Sequence, residues 1–199
     1  MGVEYFEADV RGCIGDLHGA APGSTVFYGS STIRLWPELG KCFSDRAVLN
    51  AGFGGSTLVA CAWYFDRIVV PLAPGRLVVY AGDNDLGDGC DLEAFAQRFN
   101  DLLSTIDYFF AGLPLTVLSI KVSPARLPLK RRILFANDLL AGRLLRRPAS
   151  GFLDAAGVLL RPDGMPDPAC YQADGLHLSH EGYRRWTDLI RRQATTVLG

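Results

Sequence analysis

Short runs of β-branched and aromatic residues alternate along this chain with longer stretches of helical period, and that alternation constrains its fold more than any other feature. Candidate strands run from Thr25 to Tyr28, Ala47 to Asn50, Leu77 to Tyr80, Leu115 to Ile120 and Gly151 to Asp154. Each is apolar on both sides, as a parallel sheet covered on both faces requires. Strands separated by helical segments build βα units, so the expected class is α/β, a three-layer α/β/α sandwich around a mostly parallel five-stranded sheet.

The clearest helix spans about Leu92 to Phe110, where Leu92, Phe95, Phe99, Leu102, Leu103, Ile106 and Phe110 recur at three- and four-residue steps. Similar stripes appear at Leu58, Ala62, Phe65 and Val69, at Ile133, Ala136, Leu140 and Leu144, and at Tyr183, Trp186, Ile190 and Val197. Ser179 is placed to cap the last of these. A further helix before Ser24 is expected to be weakened by Gly12, Gly15 and Gly19, at up to about 1 kcal/mol each. The Gly- and Pro-rich stretch from Arg161 to Pro168 reads as a surface turn, and no repeat or long linker interrupts the scheme. One domain over residues 1–199 is the expectation, since 49% hydrophobic residues supply one well-buried core.

Charge narrows the partners. Twenty Lys and Arg stand against 21 Asp and Glu, a net charge of -1, which gives no broad electrostatic reason to bind nucleic acid or an anionic membrane. A small neutral molecule is the expected partner. The cysteines Cys13, Cys42, Cys61, Cys90 and Cys170 are odd in number and scattered without a CxxC pair, so they read as reduced core thiols rather than disulfides or zinc ligands. Glu4, Glu7 and Asp9 lie where a signal peptide needs a basic start, and no run approaches transmembrane length. A cytoplasmic location without membrane insertion is expected.

In open α/β sheets, ligands sit outside the carboxyl ends of the strands, so polar residues that follow strands are the candidates for chemistry. Gly29-Ser30-Ser31-Thr32 follows the first strand and presents a hydroxyl at a helix start, making Ser31 a candidate nucleophile beside a competing Ser30. After the second strand, Asn50-Ala51-Gly52-Phe53-Gly54-Gly55-Ser56-Thr57 offers Gly55, whose backbone N–H can approach a substrate oxygen. Gly82-Asp83-Asn84-Asp85 follows the third strand, and the Asn84 carboxamide can donate to the same oxygen. Asp174-Gly175-Leu176-His177 lets one loop deliver a base and the carboxylate that orients it.

Other readings stand beside these. Gly52 and Gly54 hold the first two positions of GxGxxG, but Thr57 holds the third and the motif follows the second strand, which disfavours a dinucleotide site. Gly29-Ser30-Ser31-Thr32-Ile33 lacks the second glycine of GxSxG, which disfavours an α/β-hydrolase. Asp83 and Asp85 read as solvated loop carboxylates in preference to metal ligands, His18 and His180 as surface or capping residues, and Lys121 as a structural or rim residue. Trp36, Trp63 and Trp186 are expected in the core, with Trp36 near enough to the candidate nucleophile to touch a substrate.

Taken together, the Gly-x-Ser, Gly, Gly-x-Asn-Asp and Asp-x-x-His blocks resemble those of the SGNH (GDSL-like) hydrolases in order and spread, over Phe27 to Tyr183. The resemblance implies a flavodoxin-like fold and a serine esterase. It implies Ser31 as nucleophile, Asp174 and His177 as the rest of a triad, and an oxyanion hole from the Ser31 N–H, Gly55 and Asn84. Acyl transfer in two steps on a small acyl or acetyl ester follows, without a metal or organic cofactor. Ser30 stands where the better-known motif has aspartate, and Asp83 stands where threonine is frequent, which is expected to place an acidic group near the oxyanion hole and disfavour anionic substrates. Ser119 to Arg126 is similar to a stretch in one esterase-like branch of the family, with no role implied for its residues. An acyltransferase with the same triad is the alternative, and a binding module without turnover is the reading from a different class.

Overall fold

In the computed structural model, which describes residues 2–199, successive strand residues point alternately into two apolar layers. The strands are β1 (Thr25–Gly29), β2 (Val48–Gly52), β3 (Arg76–Tyr80), β4 (Leu115–Leu118) and β5 (Ser150–Leu153). Val26, Tyr28, Leu77, Val79, Leu115 and Val117 enter one layer, whereas Phe27, Val78, Tyr80 and Leu118 enter the other. The period of two explains why both faces of these strands are apolar.

All pairings are parallel, in the order β2-β1-β3-β4-β5, so the expected α/β class and five-stranded sheet are present. This is the flavodoxin-like order, in which the winding reverses between β1 and β3 and opens a crevice at their carboxyl ends. The strand ends differ slightly from expectation: β2 continues to Gly52 and β4 stops at Leu118. Edge strand β5 is only half-buried, unlike the doubly covered strand read from its apolar run.

The helix Leu92–Phe109 covers the first face, burying Phe95, Phe99, Leu102 and Ile106. Full burial of such side chains stabilises by about 1.5–3 kcal/mol each. Asp91 starts it by accepting from the Ala94 N–H at 2.8 Å. Helix Lys130–Leu144 lies on the same face, as does Glu7–Asp16, which forms despite Gly12 and Gly15 and ends before Gly19. On the opposite face His180–Arg192 buries Tyr183, Trp186 and Ile190, with Ser179 capping it through the Gly182 N–H. The stripe expected to continue to Val197 breaks at Gln193 and resumes in Ala194–Val197. Arg161–Pro168 folds back on itself, the Arg161 N–H donating to the Met165 carbonyl.

Three expectations about buried residues change. Trp63 is 63% exposed, because it lies off the stripe of Leu58, Ala62, Phe65 and Val69, on the outer side of the helix with the exposed Val59 four residues before it. Trp36 and Trp186 do pack in the core, against one another and Tyr183. All five cysteines are free, but only Cys13, Cys61 and Cys170 are buried, while Cys42 and Cys90 are half-exposed. Burial pushes the Cys13 and Cys61 thiols up to about 12. Among the described residues, no helix is long and apolar enough to cross a membrane.

Candidate active site

The crevice at the carboxyl ends of β1 and β3 collects the polar loops. Gly29 ends β1 at φ +136, with its Cα against the Tyr80 carbonyl of β3, so only a residue without a side chain fits. Ser30 then runs extended, donating its N–H to the Tyr80 carbonyl at 3.0 Å, and its own carbonyl receives the Ile33 and Arg34 N–H groups. That geometry buries Ser30 and leaves Ser31 half-buried at the first position of the helix Ser31–Arg34. Of the two adjacent hydroxyls, Ser31 faces the imidazole.

The imidazole arrives from the far end of the chain. Ser31 Oγ stands 3.1 Å from His177 Nε2, although 146 residues separate them. His177 Nδ1 stands 2.6 Å from Asp174 Oδ2. An ionised carboxylate only accepts, so Nδ1 carries the proton and Nε2 of the neutral ring is left as acceptor for the Ser31 hydroxyl. The other Asp174 oxygen accepts from the Leu176 and His177 N–H groups at 2.8 and 3.0 Å, which closes the loop around the aspartate. Gly175 sits in this turn at φ +64, and its carbonyl accepts from the Ala125 N–H, tying the loop to the segment after β4. Hydrogen bonding from His177 and the Leu176 N–H holds the Asp174 carboxyl down at about 2. His180, by contrast, is exposed at the first turn of its helix, and His18 is exposed at the end of another segment.

The second loop is fastened to the first. Asn50 donates to the Ile33 carbonyl at 2.8 Å and accepts from the Gly52 N–H at 3.1 Å, while the Phe53 N–H donates to the Gly29 carbonyl at 2.9 Å. Beyond it, Gly54 donates to Asp9, and Gly55 is exposed at φ +68. Thr57 is a helix cap, accepting from the Ala60 N–H. Loop two also meets loop three, because Asn84 Nδ2 donates to the Ser56 carbonyl at 3.0 Å.

Asn84 is flanked by two carboxylates that the sequence suggests are solvated; both are buried instead. Asp83 accepts from Lys121 at 2.5 Å and from the Tyr80 hydroxyl at 3.1 Å, and Arg126 Nε lies 3.1 Å from its other oxygen. Burial raises this carboxyl, but Lys121 and Arg126 outweigh it and hold it below its ordinary value. The acidic group expected near Asn84 is therefore offset by two cations. Asp85 accepts from the Leu58 N–H and from Arg98, both at 2.9 Å, with burial raising its carboxyl above the ordinary range. Among the described residues, no group of three His, Cys, Asp or Glu side chains is arranged to hold a metal ion.

Arg126 is a contributor that sequence reasoning misses, and Lys121, read as a structural or rim residue, is structural. Lys121 is only 1% exposed, so it is no rim residue, and besides Asp83 it donates to Tyr80 and to Thr32, the neighbour of Ser31. Arg126 donates to the Asp83 carbonyl at 2.6 Å and to Asn84 Oδ1 at 3.1 Å. Gly87 makes room for it, since a Cβ there would collide with the guanidinium. Two lone cations in a loop, around 40 residues from their partners, carry no spacing signal.

Comparison with known proteins gives the family and the fold. The family model described as GDSL-like Lipase/Acylhydrolase matches residues 13–185. No curated protein matches the chain in sequence. Among solved structures, a candidate platelet activating factor from Streptococcus pneumonia superposes with a TM-score of 0.83 at 16% identity, over 96% of this chain and 94% of that one. A GDSL-like lipase from Bacteroides thetaiotaomicron gives 0.73 at 17% identity, over 99% of this chain and 100% of that one. A variant of an acetyl xylan esterase from Geobacillus stearothermophilus gives 0.69 at 13% identity, over 90% and 98%. At these identities the superpositions speak for the fold, and the family match speaks for the chemistry. This chain belongs to the GDSL-like lipase/acylhydrolase family of ester-hydrolysing enzymes.

Proposed function

We propose that this enzyme hydrolyses small acyl or acetyl esters through an acyl-enzyme on Ser31. Ser31 Oγ attacks the ester carbonyl carbon as its proton passes to His177 Nε2, and Asp174 stabilises the imidazolium that results. The tetrahedral intermediate collapses when the departing alkoxide takes that proton. Water then repeats the attack with His177 again as base, releasing the acid and restoring the serine. The oxygen that becomes negative in each step is received by the Ser31 N–H, the Gly55 N–H and the Asn84 carboxamide.

One observation carries the reading: the unbroken chain from Ser31 Oγ to His177 at 3.1 Å and on to Asp174 at 2.6 Å. Support for Asn84 as a donor comes from its amide orientation. Its oxygen is taken by Arg126 and one N–H by Ser56, and an amide nitrogen carries a second N–H for a substrate oxygen. The fold shared with an acetyl xylan esterase adds carbohydrate acetyl esters to the substrates worth trying.

The test is hydrolysis of a chromogenic acetyl ester by the wild type, Ser31→Ala and His177→Ala. Loss of turnover in both variants is expected. Equal rates in all three would overturn the proposal.

A further inference from the structure

The groups around Asp83 have no part in the proton transfers, yet they join the loops that carry Ser31 and Asn84. Lys121 reaches Thr32 on one side and Asp83 on the other, at 3.3 and 2.5 Å. Arg126 spans Asp83 and Asn84: Nη1 donates to the Asp83 carbonyl, Nε faces the Asp83 carboxylate, and Nη2 donates to Asn84 Oδ1. A planar guanidinium bonds the two oxygens together because its donors leave in fixed, divergent directions, while Nε meets Asp83 Oδ1 as a charge partner without a hydrogen bond. The Arg126 side chain is only 14% exposed, and the missing Gly87 side chain keeps its place open.

We infer that Arg126 is a positioning residue for the oxyanion amide: by holding Asn84 Oδ1 it fixes which end of the carboxamide faces substrate and polarises its N–H groups. The inference rests on the proposed role of Asn84. Without the guanidinium only the Ser56 carbonyl still selects between the two ends of the Asn84 amide, which differ only in hydrogen bonding, so the turned orientation becomes more accessible. A turned amide presents an acceptor lone pair to a developing oxyanion, which repels it. The positive charge beside the oxygen also draws electron density from the nitrogen, strengthening the bond the N–H makes as negative charge develops. Asp83 and Lys121 anchor this arrangement: the buried carboxylate holds Arg126 on one oxygen and Lys121 on the other, and the two cations leave the cluster net positive beside Asn84. Ser31 and Asn84 are thus set relative to each other by a single buried charge cluster.

The test uses the full chain with Arg126→Lys, Arg126→Met, Asn84→Ala and the double variant Arg126→Met/Asn84→Ala. Turnover and KM on the chromogenic acetyl ester are measured separately, beside thermal melting of each protein. Lysine restores a charge near Asp83 but cannot reach its carbonyl and Asn84 at once. Arg126→Lys is therefore expected to melt near the wild-type temperature and still lose about tenfold to a hundredfold in kcat with little change in KM, a fraction of what deleting an oxyanion donor costs. The double variant is expected to be no slower than Asn84→Ala alone, since the guanidinium acts through the amide. If Asn84→Ala is crippled while Arg126→Lys turns over at the wild-type rate, or if the two losses multiply, the positioning role is wrong and the oxyanion role stands. A fully active Asn84→Ala removes the oxyanion role and the inference with it. Should Arg126→Met fail to fold, Arg126→Lys/Asn84→Ala supplies the same comparison.

Discussion

Asp174 and His177 sit three residues apart on one turn, and that turn spends both oxygens of the aspartate: Oδ2 on the imidazole at 2.6 Å, Oδ1 on the backbone N–H groups of Leu176 and His177. The aspartate is held as an anion by what surrounds it rather than by burial, since its side chain is 46% exposed. Its carboxyl lies near 2 against an ordinary 3.8, so the folded state prefers the ionised form. The stabilisation this provides is complete above the unfolded value and is lost only as pH falls toward the folded one. A carbon-detected NMR titration should find the Asp174 midpoint near 2, and a midpoint at or above 3.8 would contradict the geometry. Across neutral pH the carboxylate does not titrate. Asp174→Asn is expected to keep the fold and lose on the order of 10⁴-fold in kcat, through the wrong imidazole tautomer.

The choice between the two adjacent serines is open to direct chemistry. Ser30 is 2% exposed and its backbone belongs to the β1–β3 junction, whereas Ser31 meets the imidazole. Ser31→Ala should cost on the order of 10⁴-fold or more in kcat, as loss of a nucleophile does. Ser30→Ala should leave most of the turnover. Mass spectrometry after reaction with a fluorophosphonate is expected to find the adduct on Ser31, and an adduct on Ser30 would reverse the assignment.

Lys121 presents a stability question. Removing one partner of a buried ion pair leaves the other charge uncompensated, typically at about 3–5 kcal/mol. Lys121→Met should fall at the lower end of that range, because Arg126 and the Tyr80 hydroxyl still face Asp83. Adding Asp83→Asn removes the stranded charge and should recover part of the loss. Urea unfolding of both variants gives the comparison; a single-variant loss below about 1 kcal/mol would mean that water or Arg126 already carries the charge.

What the sequence reveals about this molecule divides along distance in the chain. Strand and helix positions follow from local periodicity, and the helix read as Leu92 to Phe110 ends at Phe109. The Asp174–His177 turn is legible because its spacing is itself the geometry. Ser31 and His177 are suggested together only by the order of separated blocks, since nothing local to either residue specifies the other. Lys121, Arg126 and Asp83 defeat that reasoning: a lysine and an arginine in a loop normally point to water, and only the tertiary fold brings them to one buried carboxylate. Trp63 fails for a related reason. Its size argues for the core, but it stands off the apolar stripe of Leu58, Ala62, Phe65 and Val69, and the stripe alone decides which side of the helix is buried.

Two glycines make opposite predictions from one kind of argument. At Gly29 the backbone has φ +136 and a Cβ would strike the Tyr80 carbonyl, a main-chain group of the central strand that cannot swing aside. Backbone strain of this kind costs about 1–3 kcal/mol before any clash is counted. Gly29→Ala is therefore expected to lose at least about 3 kcal/mol and, by separating β1 from β3 beneath Ser31, to lose turnover in whatever fraction still folds. Gly142 lies exposed within the helix Lys130–Leu144, with no atom near its missing Cβ. There alanine removes backbone freedom from the unfolded chain and strains nothing, so Gly142→Ala should gain about 0.4–1 kcal/mol with kcat unchanged. Urea midpoints of the two variants measured side by side decide it: a tolerated Gly29→Ala would mean that the turn after β1 can open, and the close approach that buries Ser30 and presents Ser31 would not be obligatory.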